Sequence, residues 1–339
     1  MTLIISRDDV ERLLAAEGAA LYESLIQHVQ AGYEQLAAER VLQHRRVYLR
    51  LPDAEKRRPP GLFSMSALLP DSGIMGTRLL ALAGRAGQGQ GLLVLFDYRQ
   101  ARCLAILDDS TLHNYRTGAP SAVATRRLAR PESRVVACIG SGRLATGGLA
   151  MICHTLPQVE TVRVYSRSAE HRTAFARHMA QTLGLDVQAV DSSEAATVEA
   201  DVILTATDAD RPVVSDAAVQ PGTHINILAR NEVEMATFRR GKVVTSVTAL
   251  LQEHDPPWHE PLPESWVHAE LGAVLTGRAA GRESADEITI FIGSAPLAMW
   301  DVAAAAAFYE AARRLGCGTE VDIGSFGVPP RAGDGAARA

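Results

Sequence analysis

The sequence predicts an α/β protein, in which a doubly wound parallel sheet of the Rossmann type is joined to an α+β domain that the C-terminal helix completes. A β-branched run, Val135–Ile139, leads directly into the glycine-rich turn Gly140–Ala145. From about Gly118 onward, strand patterns alternate with helical patterns, which is typical of a parallel sheet with crossover helices. Before Gly118, two helical stretches are followed by short strand-like runs. These observations predict two domains of different architecture.

The alternating part of the chain, residues 118–297, is expected to form a dinucleotide-binding domain. Its strands are predicted from short β-branched runs bounded by turn residues. They are Val135–Ile139, Val162–Tyr165, Val187–Val190, Asp201–Thr205, His224–Leu228, Val243–Val247 and, at the end of the domain, Glu287–Ile292. A helix from Thr146 to His154 is expected between the first two strands.

Residues 1–117 and 298–330 are expected to form the other domain. Ser6, with Asp9 three residues later, has the spacing of a capping box at the start of a helix. A second helix is expected from about Leu21 to Arg40. The predicted strands are Arg46–Leu51, Leu62–Leu68, Arg78–Leu82, Gly91–Phe96 and Cys103–Leu107, and an alanine-rich helix is predicted from Leu297 to Leu315. Residues 331–339, rich in Gly, Ala and Arg, are predicted to be a disordered tail.

The turn Gly140-Ser141-Gly142-Arg143-Leu144-Ala145 has the GxGxxA pattern that binds a dinucleotide. Gly140 permits a tight turn out of the strand, and Gly142 allows the backbone to approach the pyrophosphate closely. The small side chain of Ala145 allows the next helix to pack closely, with its N-terminal amides directed at a phosphate. All six residues of the turn are therefore candidate cofactor ligands.

The residues after the second strand of this unit predict which coenzyme binds. An NAD-selective site usually has an acidic residue there for the ribose 2′-hydroxyl, whereas a 2′-phosphate needs a cation and hydroxyl donors. This chain has Ser166-Arg167-Ser168. The sequence thus favours NADP(H) over NAD(H), the alternative being that Arg167 is simply a solvated side chain.

Composition excludes several classes of function. The chain has 339 residues, 47% of them hydrophobic, which is enough for a large core and two domains. A net charge of −5 argues against nucleic acid or an anionic membrane as a partner. The four cysteines show neither CxxC spacing nor a metal-binding pattern, as expected in a reducing cytoplasm. No secretory signal and no apolar run of about 20 residues, the length of a membrane span, is apparent.

Six further segments occur in a characteristic order. They are Val41–Val47 (VLQHRRV), Arg116–Ala122 (RTGAPSA), Ala200–Thr207 (ADVILTAT), Pro221–Asn226 (PGTHIN), Ala269–Gly272 with Gly277-Arg278, and Gly316–Glu320 (GCGTE). By this order and spacing the chain resembles the ornithine cyclodeaminase/mu-crystallin family, from about Val41 to Val321. The resemblance implies a homodimer built through the first domain, which would be a substrate-binding and dimerisation domain, with the substrate in the cleft between domains. It also implies cyclodeamination, amino-acid dehydrogenation or ketimine reduction as the activity.

The resemblance further implies residues for a small 2-imino or 2-amino acid substrate. Arg46 and Arg116 match positions at which the family holds the substrate carboxylate, for which guanidinium groups are strong partners. Where the family usually has a lysine, this chain has Arg78, and where the cyclodeaminases have a catalytic aspartate, it has Asn231. Arg78 can bind a carboxylate but cannot act as a base, and an asparagine cannot accept a proton. Ornithine cyclodeamination is therefore disfavoured.

Additional cofactor contacts are expected where strands of the doubly wound sheet end. The candidates are Thr205, Ala206 and Thr207 after the fourth strand, Asn226 and Leu228 at the fifth, and, by resemblance, Thr117 and Ser294. Hydroxyl groups at strand ends also commonly cap the next helix, which is the alternative for Thr207 and Ser294. The candidates for a proton donor are His44, Tyr48, Glu232, Glu234 and Asp301.

Three functions follow as hypotheses. The first is an NADPH-dependent reductase of 2-imino acids, or the reverse amino-acid dehydrogenase, which transfers hydride between nicotinamide C4 and C2 of the imine and could form an N-substituted amino acid. Reduction of a preformed imine chiefly requires positioning and exclusion of water. The second is a cyclodeaminase-type lyase that uses bound NAD+. The third is a non-catalytic protein that, like mu-crystallin, binds NADPH and a small ligand.

Overall fold

A computed structural model of the chain describes residues 1–50, 60–82, 89–229, 232–251, 261–293 and 296–324. The predicted tail, residues 331–339, lies outside the described residues, as do Asn231 and Ser294. Two sheets of eight strands each organise the described residues. No helix in these ranges has both the length and the apolar character needed to cross a membrane.

The first sheet is mixed and contains the N-terminal strands. Its strands are β1 (Thr2–Ile5), β2 (Leu42–Gln43), β3 (Val47–Arg50), β4 (Gly61–Leu69), β5 (Ile74–Leu82), β6 (Gly89–Asp97), β7 (Cys103–Asp108) and β16 (Thr319–Val321). They lie in the order β16-β1-β7-β6-β5-β4-β2, and β3 also pairs with β4. Of the strand pairs described in this sheet, β1 with β7 is parallel and the others are antiparallel.

Two helices, α1 (Arg7–Glu17) and α9 (Ala298–Leu315), cover one face of the first sheet, and α2 (Ala19–Ala37) packs against α9. The predicted capping box is present, since Ser6 and Asp9 each cap the other's backbone amide. The alanines of α9 allow close packing on β5, where a Cβ at Gly76 would lie 3.3 Å from Val302. On the opposite sheet face, Leu62 and Leu92 are 42% and 45% exposed. The first sheet therefore has one buried face and one open apolar face.

The second sheet is doubly wound, which confirms the predicted fold class. Its strands are β8 (Val135–Ile139), β9 (Thr161–Tyr165), β10 (Asp186–Ala189), β11 (Val202–Thr205), β12 (His224–Ile227), β13 (Lys242–Thr245), β14 (Val267–Glu270) and β15 (Thr289–Ile292), in the order β10-β9-β8-β11-β12-β15-β13-β14. The helices between them are α4 (Arg143–Thr155), α5 (Ala169–Leu183), α6 (Ser193–Thr197), α7 (Met235–Arg240) and α8 (Leu271–Leu275). All paired strands run parallel. The strand order reverses between β8 and β11, where ligands bind in such sheets.

One long helix, α3 (Leu112–Leu128), joins the two sheets and was not among the predicted helices. Pro120 lies inside it, and Gly118 precedes that proline, so its intrinsic helix propensity is poor. Tertiary packing stabilises it instead, because a Cβ on Gly118 would lie 2.7 Å from the Cα of Gly148 in α4. Because α3 packs closely on α4, Arg116 of α3 lies beside the first sheet. Helix α4 itself begins at the turn after β8.

Candidate active site

The glycine turn after β8 has the geometry of a dinucleotide cradle. Gly140 has φ +121°, and a Cβ there would lie 2.3 Å from the carbonyl oxygen of Ala206, so only glycine fits. Gly142 precedes α4, whose N-terminus has no side-chain cap. A Cβ on Gly142 would meet nothing within 4 Å. The turn thus leaves backbone amides and open space for a phosphate, and Leu144 and buried Ala145 pack the helix behind it.

The side chains that follow β9 lie next to the glycine turn. Ser141 Oγ donates to Ser166 Oγ at 2.8 Å, which ties this segment to the glycine turn. Ser168 caps α5 by accepting from the amide of His171 at 3.2 Å. Arg167 is exposed and donates to Asp208 at 3.3 Å. Arg172, which the sequence did not single out, lies over the Tyr165 ring at 5.9 Å and donates to the carbonyl of Ser166 at 3.2 Å.

Glu232 holds the loops after β11 and β12 together. Its carboxylate accepts from Thr205 Oγ1 at 2.8 Å, from the amide and hydroxyl of Thr207 at 2.6 and 2.7 Å, and from the amide of Ala229 at 3.2 Å. Burial raises the pKa of Glu232. Because these bonds satisfy both oxygens, Glu232 is a structural brace, which corrects its role as a candidate proton donor.

Several predicted cofactor ligands have side chains that face the protein interior. Thr205 and Asn226 are fully buried, and Asn226 Nδ2 donates to Thr125 of α3 at 3.0 Å. Thr117 Oγ1 donates to the carbonyl of His113 at 2.8 Å, and Leu228 is buried against Gly148. Any coenzyme contact from Thr205 or Asn226 must therefore use the backbone. The carbonyl oxygen of Ala206 faces Gly140, which places Ala206 beside the glycine turn.

A cavity of about 360 Å³ opens beside the glycine turn. It lies over the α9-covered face of the first sheet, at the ends of β4, β5 and β6. Its lining includes Phe63, Ser64, Met65, Arg78, Leu80, Leu82, Gly89 and Gly91 from these strands, Asp109, Ser110 and His113 from the start of α3 and the preceding turn, and Arg46 and Arg143. Arg143 is the first residue of α4, so the same residue belongs to the glycine turn and to the cavity. The predicted coenzyme turn and the predicted carboxylate ligands Arg46 and Arg78 therefore meet at one place.

Two buried ion pairs lie at the floor of the cavity and directly beneath it. Arg78 donates to Asp109 Oδ2 through Nε at 2.8 Å and Nη2 at 2.5 Å. Arg116 Nε lies 2.9 Å from Asp301 Oδ1, and Arg78 lies 3.8 Å from the same oxygen. Burial lowers the pKa of Arg116 to about 10, which still leaves it protonated at neutral pH. Asp301 is fully buried between two guanidinium groups, and together with Asp109 it balances their charge.

His113 of α3 is the cavity residue that the sequence did not reveal. Its Nδ1 lies 2.8 Å from Arg116 Nη2 and 3.1 Å from Arg78 Nη2. Burial, and then the charges of Arg116 and Arg78, lower the pKa of His113 far below its usual value. The spacing of His113 and Arg116 is that of two residues on one helix face, a signal that is readable only once α3 is known to be helical.

Arg46 lies at the mouth of the cavity, just before β3. Its Nη1 donates to Tyr48 Oη at 3.0 Å, and its guanidinium lies 5.7 Å from the Tyr48 ring centroid. Tyr48 in turn packs edge-on against Phe63, with 4.6 Å between ring centroids. The aromatic pair thus positions Arg46 while leaving it exposed to a ligand. His44, by contrast, is not among the lining residues of the cavity.

The doubly wound sheet, the glycine turn and the adjoining cavity define a dinucleotide-binding protein of the dehydrogenase type. The chain belongs to the ornithine cyclodeaminase/mu-crystallin family, whose model matches residues 8–315. The predicted resemblance is therefore confirmed, and it extends further toward the N-terminus than the motifs indicated.

Individual relatives are similar to the chain over most of its length. Delta(1)-pyrroline-2-carboxylate reductase of Bacillus cereus is 36% identical over 244 residues, which are 69% of this chain and 74% of that protein. Alanine dehydrogenase of Archaeoglobus fulgidus is 27% identical over 335 residues, 94% of this chain and 98% of that protein. The solved structure of Thermococcus litoralis Delta(1)-pyrroline-2-carboxylate reductase in complex with NADH and L-proline has 29% identity and a TM-score of 0.81, and covers 94% of this chain and 100% of that one.

Proposed function

We propose that this protein reduces 2-imino acids with NADPH, by hydride transfer to C2 of the imine. It is an oxidoreductase that acts on C–N bonds with a nicotinamide coenzyme, as its named relatives indicate. The observation that carries the proposal is the shared position of Arg143, which places a cavity for a small acid directly beside the dinucleotide turn. The volume of about 360 Å³ suits a small substrate together with a nicotinamide ring.

The distribution of charge in the cavity supports a role for Arg46 in binding the substrate carboxylate. Arg78 and Arg116 are balanced by Asp109 and Asp301. Among the described residues, no carboxylate lies within ion-pair distance of Arg46 or Arg143. A substrate carboxylate would bind to Arg46, because a guanidinium fork and a carboxylate form paired, charge-assisted hydrogen bonds. Arg143 would lie on the coenzyme side.

The remaining cavity residues favour reduction of an imine. The coenzyme, when bound at the glycine turn, supplies the hydride. Phe63, Met65 and Leu80 form an apolar wall that excludes water from the imine carbon, which protects the imine from hydrolysis. The balanced ion pairs of the floor do not repel a protonated iminium, so the substrate can be held in its electrophilic form. Positioning then provides most of the catalysis.

The proposal also includes a preference for NADP(H) over NAD(H). This preference is supported by two cations near the end of β9 and by Ser166, which faces the glycine turn. The cations are Arg167, which pairs with exposed Asp208, and Arg172, which pairs with exposed Asp191. Ser166–Ser168 contain no carboxylate for a ribose 2′-hydroxyl. Titration of NADPH and NADH against the protein tests this preference, and equal or tighter binding of NADH would overturn it.

The decisive experiment follows NADPH absorbance with Delta(1)-pyrroline-2-carboxylate, and with pyruvate, glyoxylate or 2-oxoglutarate mixed with ammonia, methylamine or an amino acid. Consumption of NADPH with one or more of these imines is the expected result. Conversion of ornithine to proline without a net change in absorbance would identify a cyclodeaminase instead. Saturable NADPH binding without oxidation of NADPH would identify a binding protein.

A pair of neighbouring variants sharpens this test. Arg46→Ala should raise KM for the imino acid about 10-fold or more, since a charged hydrogen bond is lost, while the affinity for NADPH stays unchanged. Arg45→Ala is the matched control, because Arg45 is not among the lining residues of the cavity. A similar KM change in both variants would remove Arg46 from the substrate site.

We further propose that the protein is a cytoplasmic homodimer, in which residues 1–117 and 298–330 form the substrate-binding and dimerisation domain. The open apolar face of the first sheet supports this, because an exposed apolar patch on a sheet usually contacts a partner. Leu62→Glu with Leu92→Glu should give a monomer by light scattering, whereas Leu315→Glu, at an exposed position at the end of α9, should not. The free cysteines, three of them buried, support a reducing compartment.

A further inference from the structure

We infer that His113 is a substrate-binding residue that donates its Nε2–H to a carboxylate oxygen of the imino acid. The inference rests on the proposed function and extends it, since no arginine of the cavity floor then has to contact the substrate directly. His113 lines the cavity, and its side chain retains 26% exposure although the neighbouring charged groups are buried.

The two neighbouring arginines determine which ring nitrogen carries the proton. Guanidinium groups are donors only, so the Nδ1 atom that faces both Arg78 Nη2 and Arg116 Nη2 must be an acceptor. A neutral imidazole that accepts at Nδ1 carries its proton on Nε2. The network therefore fixes a single tautomer, with a donor on the edge of the ring away from the arginines.

Burial and the charges around the ring keep this donor neutral. Loss of solvation on burial disfavours an imidazolium most, and the charges of Arg116, Arg78, Arg143 and Arg46 add to that effect. Asp109, whose carboxylate lies 3.9 Å from Nδ1, is already paired with Arg78. A neutral donor suits the proposed reaction for a physical reason. It can bind a carboxylate oxygen without adding positive charge next to a protonated iminium.

His113 also explains why Arg116 is so deeply buried. Arg116 is not among the lining residues of the cavity, and its guanidinium is directed at Asp301 and His113. The contact expected between Arg116 and the substrate carboxylate is therefore relayed through the imidazole ring. Arg116 and Arg78 act as positioning residues, and His113 makes the contact.

Nuclear magnetic resonance of the protein labelled with 15N-histidine tests the contact without relying on activity. The probe is pyrrole-2-carboxylate, a planar and unreactive carboxylate, added to the protein saturated with NADP+. The His113 signals, assigned by their absence in His113→Gln, should show an unprotonated Nδ1 and a protonated Nε2 at all pH values between about 5 and 8, the range in which an ordinary histidine titrates. The Nε2–H proton should shift when the probe binds and shift less with the uncharged pyrrole-2-carboxamide.

A protonated Nδ1, or an Nε2–H signal that does not move at saturating probe, would overturn the inference. This outcome is distinguishable from failure of the proposed function. A protein that reduces imines without a shift at His113 refutes only the inference. A protein that shows the shift but never oxidises NADPH refutes only the proposed reaction.

Variants of His113 provide a second, kinetic test. His113→Phe keeps an aromatic ring but removes the donor, and KM for the imino acid should rise about 10-fold or more, with little change in NADPH affinity. His113→Gln can accept from the arginines and still donate an amide N–H, so it should recover much of the loss. Equal KM values for all three proteins, with their melting temperatures as a check on folding, would contradict the proposed contact.

Discussion

The turn after β8 and the cavity beside it contact the same small molecules in the proposed complex, but they are built in different ways. The turn acts through its backbone atoms and depends on glycine at positions 140 and 142, where no side chain blocks the space. The cavity works through charged side chains from distant parts of the chain, such as Arg78 and Asp301. The turn is encoded by six consecutive residues. The cavity, by contrast, forms only after the two sheets and the helix that links them have packed together.

Exchange of the glycines should have the largest effect on coenzyme binding and tests the backbone side of this contrast. Gly140→Ala places a Cβ against Ala206 at a positive φ. It should lower the free energy of unfolding by about 2 kcal/mol or more and weaken NADPH binding about 100-fold. Gly142→Ala meets open space, so it should unfold like the original protein in urea while binding NADPH about 10-fold more weakly. Normal NADPH binding by Gly140→Ala would mean that the turn does not hold the coenzyme.

Removal of the charge on Asp301 tests the side-chain part of the contrast. Asp301→Asn leaves the buried guanidinium of Arg116 without its ion-pair partner. The free energy of unfolding, measured in urea, should fall by about 3–5 kcal/mol. Glu160→Gln breaks the exposed ion pair with Arg134 and should change the free energy of unfolding by about 0.5 kcal/mol or less. Equal effects of the two changes would show that the cavity floor does not depend on balanced charge.

Replacement of Arg167 should have an intermediate effect and concerns coenzyme choice at the edge of the turn. Arg167→Ala removes a cation from the expected position of the 2′-phosphate. The ratio of NADPH to NADH affinity should fall about 10-fold, as for loss of one charged hydrogen bond. Arg177→Ala, at an exposed position on α5, is the control and should leave the ratio unchanged. An unchanged ratio in Arg167→Ala would mean that Arg167 is a solvated side chain.

The smallest effect is expected at Glu23, which links α2 to α3 and α4. Its carboxylate accepts from Arg126 of α3 and lies 3.1 Å from His154 of α4. The hydrogen bond from Arg126 lowers the pKa of Glu23 to about 2. A carboxyl whose pKa is lower in the folded state stabilises the fold above its unfolded pKa of about 4.3, and this contribution is lost as the pH falls toward 2.

Glu23→Gln should therefore lower the free energy of unfolding by about 0.5–1 kcal/mol at neutral pH, a modest value because the pair is partly exposed to solvent. The difference from the original protein should shrink below about pH 4. Urea unfolding at several pH values measures this difference in the free energy of unfolding. A difference that is independent of pH would indicate lost packing rather than lost charge.

Much of the second sheet could be predicted from the sequence, because each strand and its turn are short, consecutive patterns. The observed β8, for example, matches the predicted run Val135–Ile139. Helix α3 could not be predicted, since Gly118 and Pro120 disfavour a helix and tertiary packing, chiefly against α4, stabilises it. Because α3 was not predicted, the position of His113 and Arg116 on one helix face was not predicted either.

The fold class, the coenzyme turn and the presence of Arg46, Arg78 and Arg116 follow from the amino-acid sequence alone, because they depend on local patterns and on residue type. The role of each arginine depends on how the folded chain packs around it. Arg78 and Arg116 are balanced by Asp109 and Asp301, which lie far from them in the chain, and Arg46 is left facing the cavity. The physical reason is that the action of a charge depends on its neighbours and its burial, and both are set by long-range packing.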